Sequence, residues 1–376
     1  LKVWIICGGR SAEHDVAMRS AECIAAALDR SKYNVHFVTI TKEGKWLSGR
    51  AIEGPASSRL EEPRRAEDSP SAGALAVSDG LRDIVADITV SPSAHGGHNG
   101  NGHMVAFPVL HGPYGEDGTI QGFFEMLGIP YVGSSVLGSA LAMDKAKTKE
   151  ILFHKGVPVP RWISFKPGVG DARNGRIPQI VATVIGYPNF VKPANLGSSI
   201  GVSKVKSPDQ LEDAIALASR YDTKVLIEEA IDAREIECSV LGNDSPTASI
   251  PGEIVPANEF YDYDAKYTNP DTELIIPADL SEQQAERVRN LAVLSFQALE
   301  CCGMARVDFF LDRRTGRVVV NELNTIPGFT EVSMYPKLWE ASGLPYPRLL
   351  DRLIELALER YRERKGLSVN RDQEAP

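Results

Sequence analysis

Lys2-Val-Trp-Ile-Ile-Cys-Gly-Gly9 opens the chain, and the architecture is read outward from it. Val3 to Cys7 form an apolar run without polar alternation, the pattern of a strand buried on both faces of a parallel sheet. The glycine pair supplies a turn. Beyond it Met18, Ala21, Ala25 and Leu28 fall on one helical face, and Val35–Ile40 reads as a second strand. Strand, helix, strand predicts an open α/β sheet. The opening segment reads as a strand and not as a signal peptide.

Residues 49–103 break the order. The part at 54–73 is rich in Pro, Ser, Glu and Arg, and 91–103 in Gly, His and Asn, so an insertion with a mobile part is expected. A strand Val105–Leu110 follows, then the loop His111-Gly-Pro-Tyr-Gly-Glu-Asp-Gly118. A helix carries Ile120, Phe123, Phe124 and Leu127 inward, with Gly128 as its C-cap. Another helix is predicted over 142–155, and a strand or linker over Pro158–Phe165. Next come strands Asn189–Pro193 and Ile200–Val205 around a loop at 194–199. A helix at 208–220 starts from a capping box Ser207-Pro-Asp-Gln210, and Val225–Glu229 is a strand. Strands are expected near 235–241 and 252–256, with a Tyr-rich loop at 257–274. A helix from Ser281-Glu-Gln-Gln284 carries Val288, Leu291, Ala292, Ser295 and Leu299 inward. The hairpin 304–311/317–323 turns at Asp312–Gly316, and helices near 330–341 and 346–363 close the fold. Expected domains are 1–140, 141–231 and 232–364, with a tail at 365–376.

With 376 residues the chain exceeds what one core usually supports. Its 43% hydrophobic content excludes global disorder, and no apolar stretch is long enough to span a membrane. A net charge of −9 argues against nucleic acid as a partner. Cys7, Cys23, Cys238, Cys301 and Cys302 show no CxxC spacing and read as reduced, mostly buried thiols, the last two as helix packing.

Several groups of residues carry chemistry. In the hairpin, period-2 alternation puts Arg306 and Asp308 on one face of the first strand. A turn centred on Arg314 sets Arg306 opposite Glu322 and Asp308 opposite Val320. Arg306, Asp308, Glu322 and Asn324 then share a face. Carboxylate and amide oxygens suit a hard cation such as Mg²⁺ shared with phosphate, and the arginine suits a phosphate oxygen. A solvated face with a surface ion pair is the plain alternative. There is no GxxxxGK[ST]. Instead Lys192 ends a strand before Asn195-Leu-Gly-Ser-Ser-Ile-Gly201, whose N–H groups can cradle an anion or simply form a turn. The match to GxSxG within it lacks the strand–turn–helix context of a nucleophile elbow. His95, His98 and His103 sit among glycines, where a flexible loop is a better reading than zinc. His111 and Glu13 both follow strand ends, where open α/β sheets bind ligands. Each also has an ordinary structural reading, as a satisfied histidine and as a first-turn carboxylate.

In order along the chain, Gly8–His14, His111–Gly122, Ala142–Lys145, Val191–Pro193, Gly197–Gly201, Phe260–Tyr267, Arg306–Asp308 and Asn321–Gly328 closely resemble the D-alanine–D-alanine ligases of the ATP-grasp superfamily. The resemblance implies an N-terminal open parallel α/β domain followed by a two-lobed ATP-grasp fold. It implies ATP-dependent ligation through a D-alanyl phosphate, for peptidoglycan precursors. It assigns the first D-alanine's ammonium to Glu13, its carboxylate to His111, and a lid latch to Ser198 and Tyr267. Lys145, Lys192 and Lys266 match the lysines on the phosphates. Glu228, Glu229 and Ile231 match the adenine segment, Glu235 the ribose carboxylate, and Asn321 also falls in the nucleotide set. Asp308, Glu322 and Asn324 match ligands of two Mg²⁺ (or Mn²⁺) ions. Arg306 and the Gly328 N–H match the oxyanion donors, and Ser333 and Met334 the second D-alanine's carboxylate. Met334 stands where Leu is commoner, and little effect is expected. The phenol of Tyr267 is expected to favour an amine as second nucleophile. A monovalent cation, a homodimer and a cytoplasmic home are further implications.

Overall fold

The computed structural model describes residues 1–49, 104–168, 176–255 and 272–367. Most of the insertion, with His95, His98 and His103, lies outside the described residues. So do Lys266, Tyr267 and most of the loop that carries them.

Strands β1 (Lys2–Gly8), β2 (Asn34–Ile40), β3 (Trp46–Gly49) and β4 (Met104–Val109) form a sheet in the order β3-β2-β1-β4. β1 is parallel to both neighbours, and β3 is antiparallel to β2. Helix α1 (His14–Ala27) packs on this sheet through Ala21, Ile24 and Ala25. Gly8 closes the first turn at φ +86, where a Cβ would stand 2.3 Å from the Ile40 carbonyl, so no larger residue fits. Helix α2 (Thr119–Leu127) ends on Gly128 in the left-handed conformation, as its sequence predicts.

A helix that the sequence reading did not assign, α3 (Val136–Met143), precedes the predicted helix over 142–155, which is α4 (Lys145–His154). The break falls at Asp144, whose side chain accepts from the Ala146 and Lys147 N–H groups and starts a new helix. The second sheet runs β5 (Trp162–Phe165), β8 (Val225–Glu229), β6 (Asn189–Pro193), β7 (Ser203–Val205), all antiparallel. β7 is shorter than expected, because Ile200 belongs to the turn. Helix α5 is a single turn, Ile177–Ile180, that runs into a wider turn at Val181–Ile185. Helix α6 (Leu211–Ala218) follows a short 3₁₀ turn. The capping box at Ser207 does not form: Ser207 makes no cap bond, and Gln210 Oε1 accepts from the Lys206 N–H at 2.8 Å.

The third sheet is β12 (Glu273–Ile275), β11 (Gly252–Val255), β9 (Ala233–Gly242), β13 (Gly303–Asp312), β14 (Val318–Asn324), with β10 (Thr247–Ala248) also on β9. Helix α7 (Glu282–Ala298) starts where predicted, from a Ser281/Gln284 capping box, and covers the sheet with Val288, Leu291, Ala292 and Phe296. Cys301 and Cys302 follow this helix in the connection to β13, so they are not helical. Helices α8 (Met334–Ala341) and α9 (Tyr346–Lys365) turn back. Leu349, Leu353, Ile354 and Ala357 of α9 share one core with Val3, Ile5, Val105 and Phe107 of the first sheet. Asp351 seals the junction, accepting from Tyr33 Oη and Lys32 Nζ at 2.9 Å each.

Candidate active site

The loop after β1, the loop after β4, helix α4 and the ends of β6, β8, β9, β13 and β14 face one cleft. It holds two cavities. The larger, about 570 Å³, is lined by Lys145, Lys192, Ser198, Glu228, Glu229, Ile231, Glu235, Asp308, Asn321 and Glu322, among others. The smaller, about 80 Å³, is lined by Glu13, His111, Arg306, Asn324, Gly328, Ser333 and Met334. Gly197, Ser198, Glu237 and Glu322 border both, so a group moving between the two chambers passes these residues. Every candidate residue from the sequence that is described lines one chamber or the other.

The hairpin gathers its four polar residues on one face, as alternation predicts, but in a different register. Arg306 lies opposite Asn324 and Asp308 opposite Glu322, two residues from the expected register: the turn centres between Arg314 and Thr315, which shifts the pairing by one, and a bulge between Asp308 and Phe309 shifts it by one more. The Arg306 guanidinium makes two parallel bonds to Asp308, at 2.7 and 2.8 Å. Its Nε also lies 2.9 Å from Glu237 Oε2. Asn324 Nδ2 donates to Asp308 at 2.9 Å, leaving the amide oxygen for another partner. Glu322 pairs with Lys145 Nζ at 3.2 Å, and that ammonium also donates to the Leu196 carbonyl at 2.9 Å. Among the described residues no three His, Cys, Asp or Glu side chains converge as a metal cage. Two carboxylates and an amide oxygen, each carboxylate counter-charged by a cation, nevertheless fit a hard divalent ion that completes its shell with phosphate oxygens.

At the far wall Glu228 is buried between two lysines, Lys192 on Oε1 and Lys149 on Oε2. Burial alone would push its carboxyl up, but the lysines hold it below the usual range. The neighbouring Glu229 turns away, its carboxylate held by Arg161 at 2.7 Å and Arg317 at 3.4 Å. Ser198 and Ser199 both have positive φ, 55° and 57°, which costs a non-glycine residue on the order of 1–3 kcal/mol. Ser198 is buried, and its hydroxyl has no hydrogen-bond partner among the described residues. The preceding Gly197 stands beside Glu13: a Cβ there would lie 3.7 Å from Glu13 Oε2.

In the smaller chamber His111 Nδ1 donates to the Ile326 carbonyl at 2.9 Å, so Nδ1 carries the proton and Nε2, buried and without a partner among the described residues, is left for a ligand. Burial pushes this imidazole's pKa down. Gly328 is fixed by close approach: a Cβ there would stand 2.6 Å from Ser333 Oγ. Met334 spends its side chain on the core beside Ile254 and Leu338, which leaves backbone to face the pocket.

Three residues escaped the sequence reading. Glu237 shares the face of Glu235 by alternation on β9, a signal that was available. Lys149 lies one turn beyond Lys145. Glu116 accepts from the Gly112 N–H at 2.6 Å and from the Ile326 N–H at 3.4 Å, and burial with the nearby Glu13 pushes its carboxyl up to about 8. Its folded pKa exceeds the unfolded value of 4.5. Ionisation therefore favours the unfolded chain, and stability falls as pH rises from 4.5 to about 8. Glu116→Gln removes this dependence. In thermal melts its Tm should gain on the parent by roughly 3–6 °C between pH 5 and pH 8; parallel curves would refute the assignment.

The family model described as D-ala D-ala ligase N-terminus matches residues 2–134, and that described as D-ala D-ala ligase C-terminus matches residues 151–355. The chain is 49% identical over 368 residues to a D-alanine–D-alanine ligase of Thermoanaerobacter sp. (strain X514), covering 96% of this chain and 98% of that protein. The chain belongs to the D-alanine–D-alanine ligase family. A further ligase of this name, from Acetivibrio thermocellus, is 46% identical over 381 residues, covering 96% and 97% of the two chains. The solved D-alanine-D-alanine ligase from Coxiella burnetii superposes with a TM-score of 0.75 at 36% identity, covering 97% of this chain and 96% of that one. The VanG D-Ala:D-Ser ligase from Enterococcus faecalis gives 0.74 at 33%, covering 95% and 99%. The ligase family thus accounts for the three-sheet α/β architecture, with ATP-grasp lobes following the N-terminal sheet.

Proposed function

We propose that the two chambers divide the work of one reaction, the ATP-dependent joining of two D-alanine molecules with release of ADP and phosphate. The family uses ATP and a divalent metal, and its product serves peptidoglycan synthesis. The nucleotide occupies the larger chamber, with Glu228, Glu229, Ile231 and Glu235 along the nucleoside and Asn321 beside it. Lys145, Lys192 and, from the lid loop, Lys266 take the phosphates. Asp308, Glu322 and Asn324 would hold Mg²⁺ or Mn²⁺, as a pair of ions, whose chemistry when bound is charge neutralisation of the phosphoryl oxygens.

The first D-alanine sits in the smaller chamber, with its ammonium on Glu13 and its carboxylate near His111. That carboxylate attacks the γ-phosphate to give an acyl phosphate and ADP. The amine of the second D-alanine, its own carboxylate held by Ser333 and the Met334 backbone, then attacks the acyl carbon. Arg306 and the Gly328 N–H stabilise the oxyanion, and phosphate leaves. Ser198 and Tyr267 latch the lid. The observation that carries this reading is the shared wall: Ser198 and Glu322 border both chambers, so a phosphoryl group and a carboxylate can meet there. Mass analysis of the product from ATP and D-alanine tests it. D-alanyl-D-alanine is expected, and phosphate release without D-alanine dependence would count against it.

The N-terminal unit ends near 140, the central lobe covers 141–231 and the C-terminal lobe 232–364; a homodimer in the cytoplasm is the expected working form. No helix among the described residues is long and apolar enough to cross a membrane. Tyr267→Phe should raise ester formation with D-lactate relative to the dipeptide. Unchanged product choice would remove the phenol from specificity.

A further inference from the structure

Lys149 is a fully buried cation that does not line either chamber. It follows Lys145 by one turn of α4, so both project from the same side of the helix. Removing an ammonium from water is costly unless it is paired and hydrogen-bonded. Lys149 Nζ meets Glu228 Oε2 at 2.9 Å and donates to the Asn321 carbonyl at 3.2 Å. Glu228 belongs to β8 in the second sheet and Asn321 to β14 in the third, so one ammonium ties together two walls of the larger chamber. Charge balance does not explain its presence, since Lys192 already neutralises Glu228. Asn321 also presents a buried Oδ1 with no partner among the described residues, next in sequence to Glu322.

We propose that Lys149 is a positioning residue for the nucleotide: through Glu228 and the Asn321 backbone it fixes the spacing between the walls that grip ATP. This rests on the reading of the larger chamber as the ATP site. Lys149→Met leaves Glu228 paired with Lys192, so no lone buried charge is created. In the full chain this variant should raise KM for ATP and the calorimetric Kd for ADP by about tenfold or more, with KM for D-alanine within about twofold. Lys149→Arg keeps charge and donors and should recover most of the ATP affinity. A lowered Tm with unchanged KM for ATP would make Lys149 purely structural and overturn the proposal, as would an equal rise in both KM values. Should Lys149→Met not fold, Lys149→Gln carries the test: an ATP-selective rise supports the proposal and a parental value overturns it. Failure of the underlying reading is separate, since it would show as a parent protein whose ADP binding is untouched by Lys192→Met.

Discussion

Asp308→Asn and Glu322→Gln should each lower turnover by about 10³-fold or more, equivalent to about 4 kcal/mol of lost transition-state stabilisation. The two carboxylates stand opposite each other in the β13/β14 ladder. They are the acidic members of the face that meets both Lys145 and Arg306. Each substitution is nearly isosteric, so packing around Val307 and Leu323 is preserved while one unit of negative charge is lost. The deficit then falls on binding of the divalent ion and on alignment of the phosphoryl group. Phosphate release at saturating ATP and D-alanine measures it, and raised Mn²⁺ should restore part of the rate. Near-parental turnover in either variant would show that this face is not the metal site.

Arg306→Ala should cost about 10²–10³-fold in kcat, the range expected for loss of one oxyanion donor. The substitution also leaves Asp308 and Glu237 facing each other without the cation between them; these residues are directly paired across β13 and β9. Part of the loss is therefore electrostatic crowding and part is the missing donor. Arg306→Lys separates the two. It keeps the charge but cannot make the double bond to Asp308, so it should recover stability more fully than rate. Full recovery of kcat with lysine would deny Arg306 a directional role at the oxyanion.

The strands and their faces were legible because burial on one side or both leaves a period that survives in the sequence. Val3–Cys7 and the Arg306/Asp308 alternation are examples. What the pattern could not convey was register: a turn centred past Arg314 and a bulge after Asp308 each shifted the pairing by one residue, so Arg306 meets Asn324 in place of Glu322 while the face stays the same. The break at Asp144 was hidden because helical residues flank it on both sides. Whether an aspartate caps or merely decorates a helix depends on backbone angles, as the unformed box at Ser207 illustrates from the other direction. The family resemblance located the chamber residues, but Lys149 and Glu116 acquire meaning only through partners distant in sequence, Glu228 and Ile326. Such contacts have no local signature.

Helix α9, which lies against β1 and β4, makes synthesis order matter. On the ribosome the first sheet emerges long before Leu349 to Ala357 are made, so the side it shares with α1 stays only partly covered until α9 arrives. A nascent chain arrested before residue 346 should therefore be more protease-sensitive and chaperone-bound within residues 1–49, and gain resistance once helix α9 has left the exit tunnel.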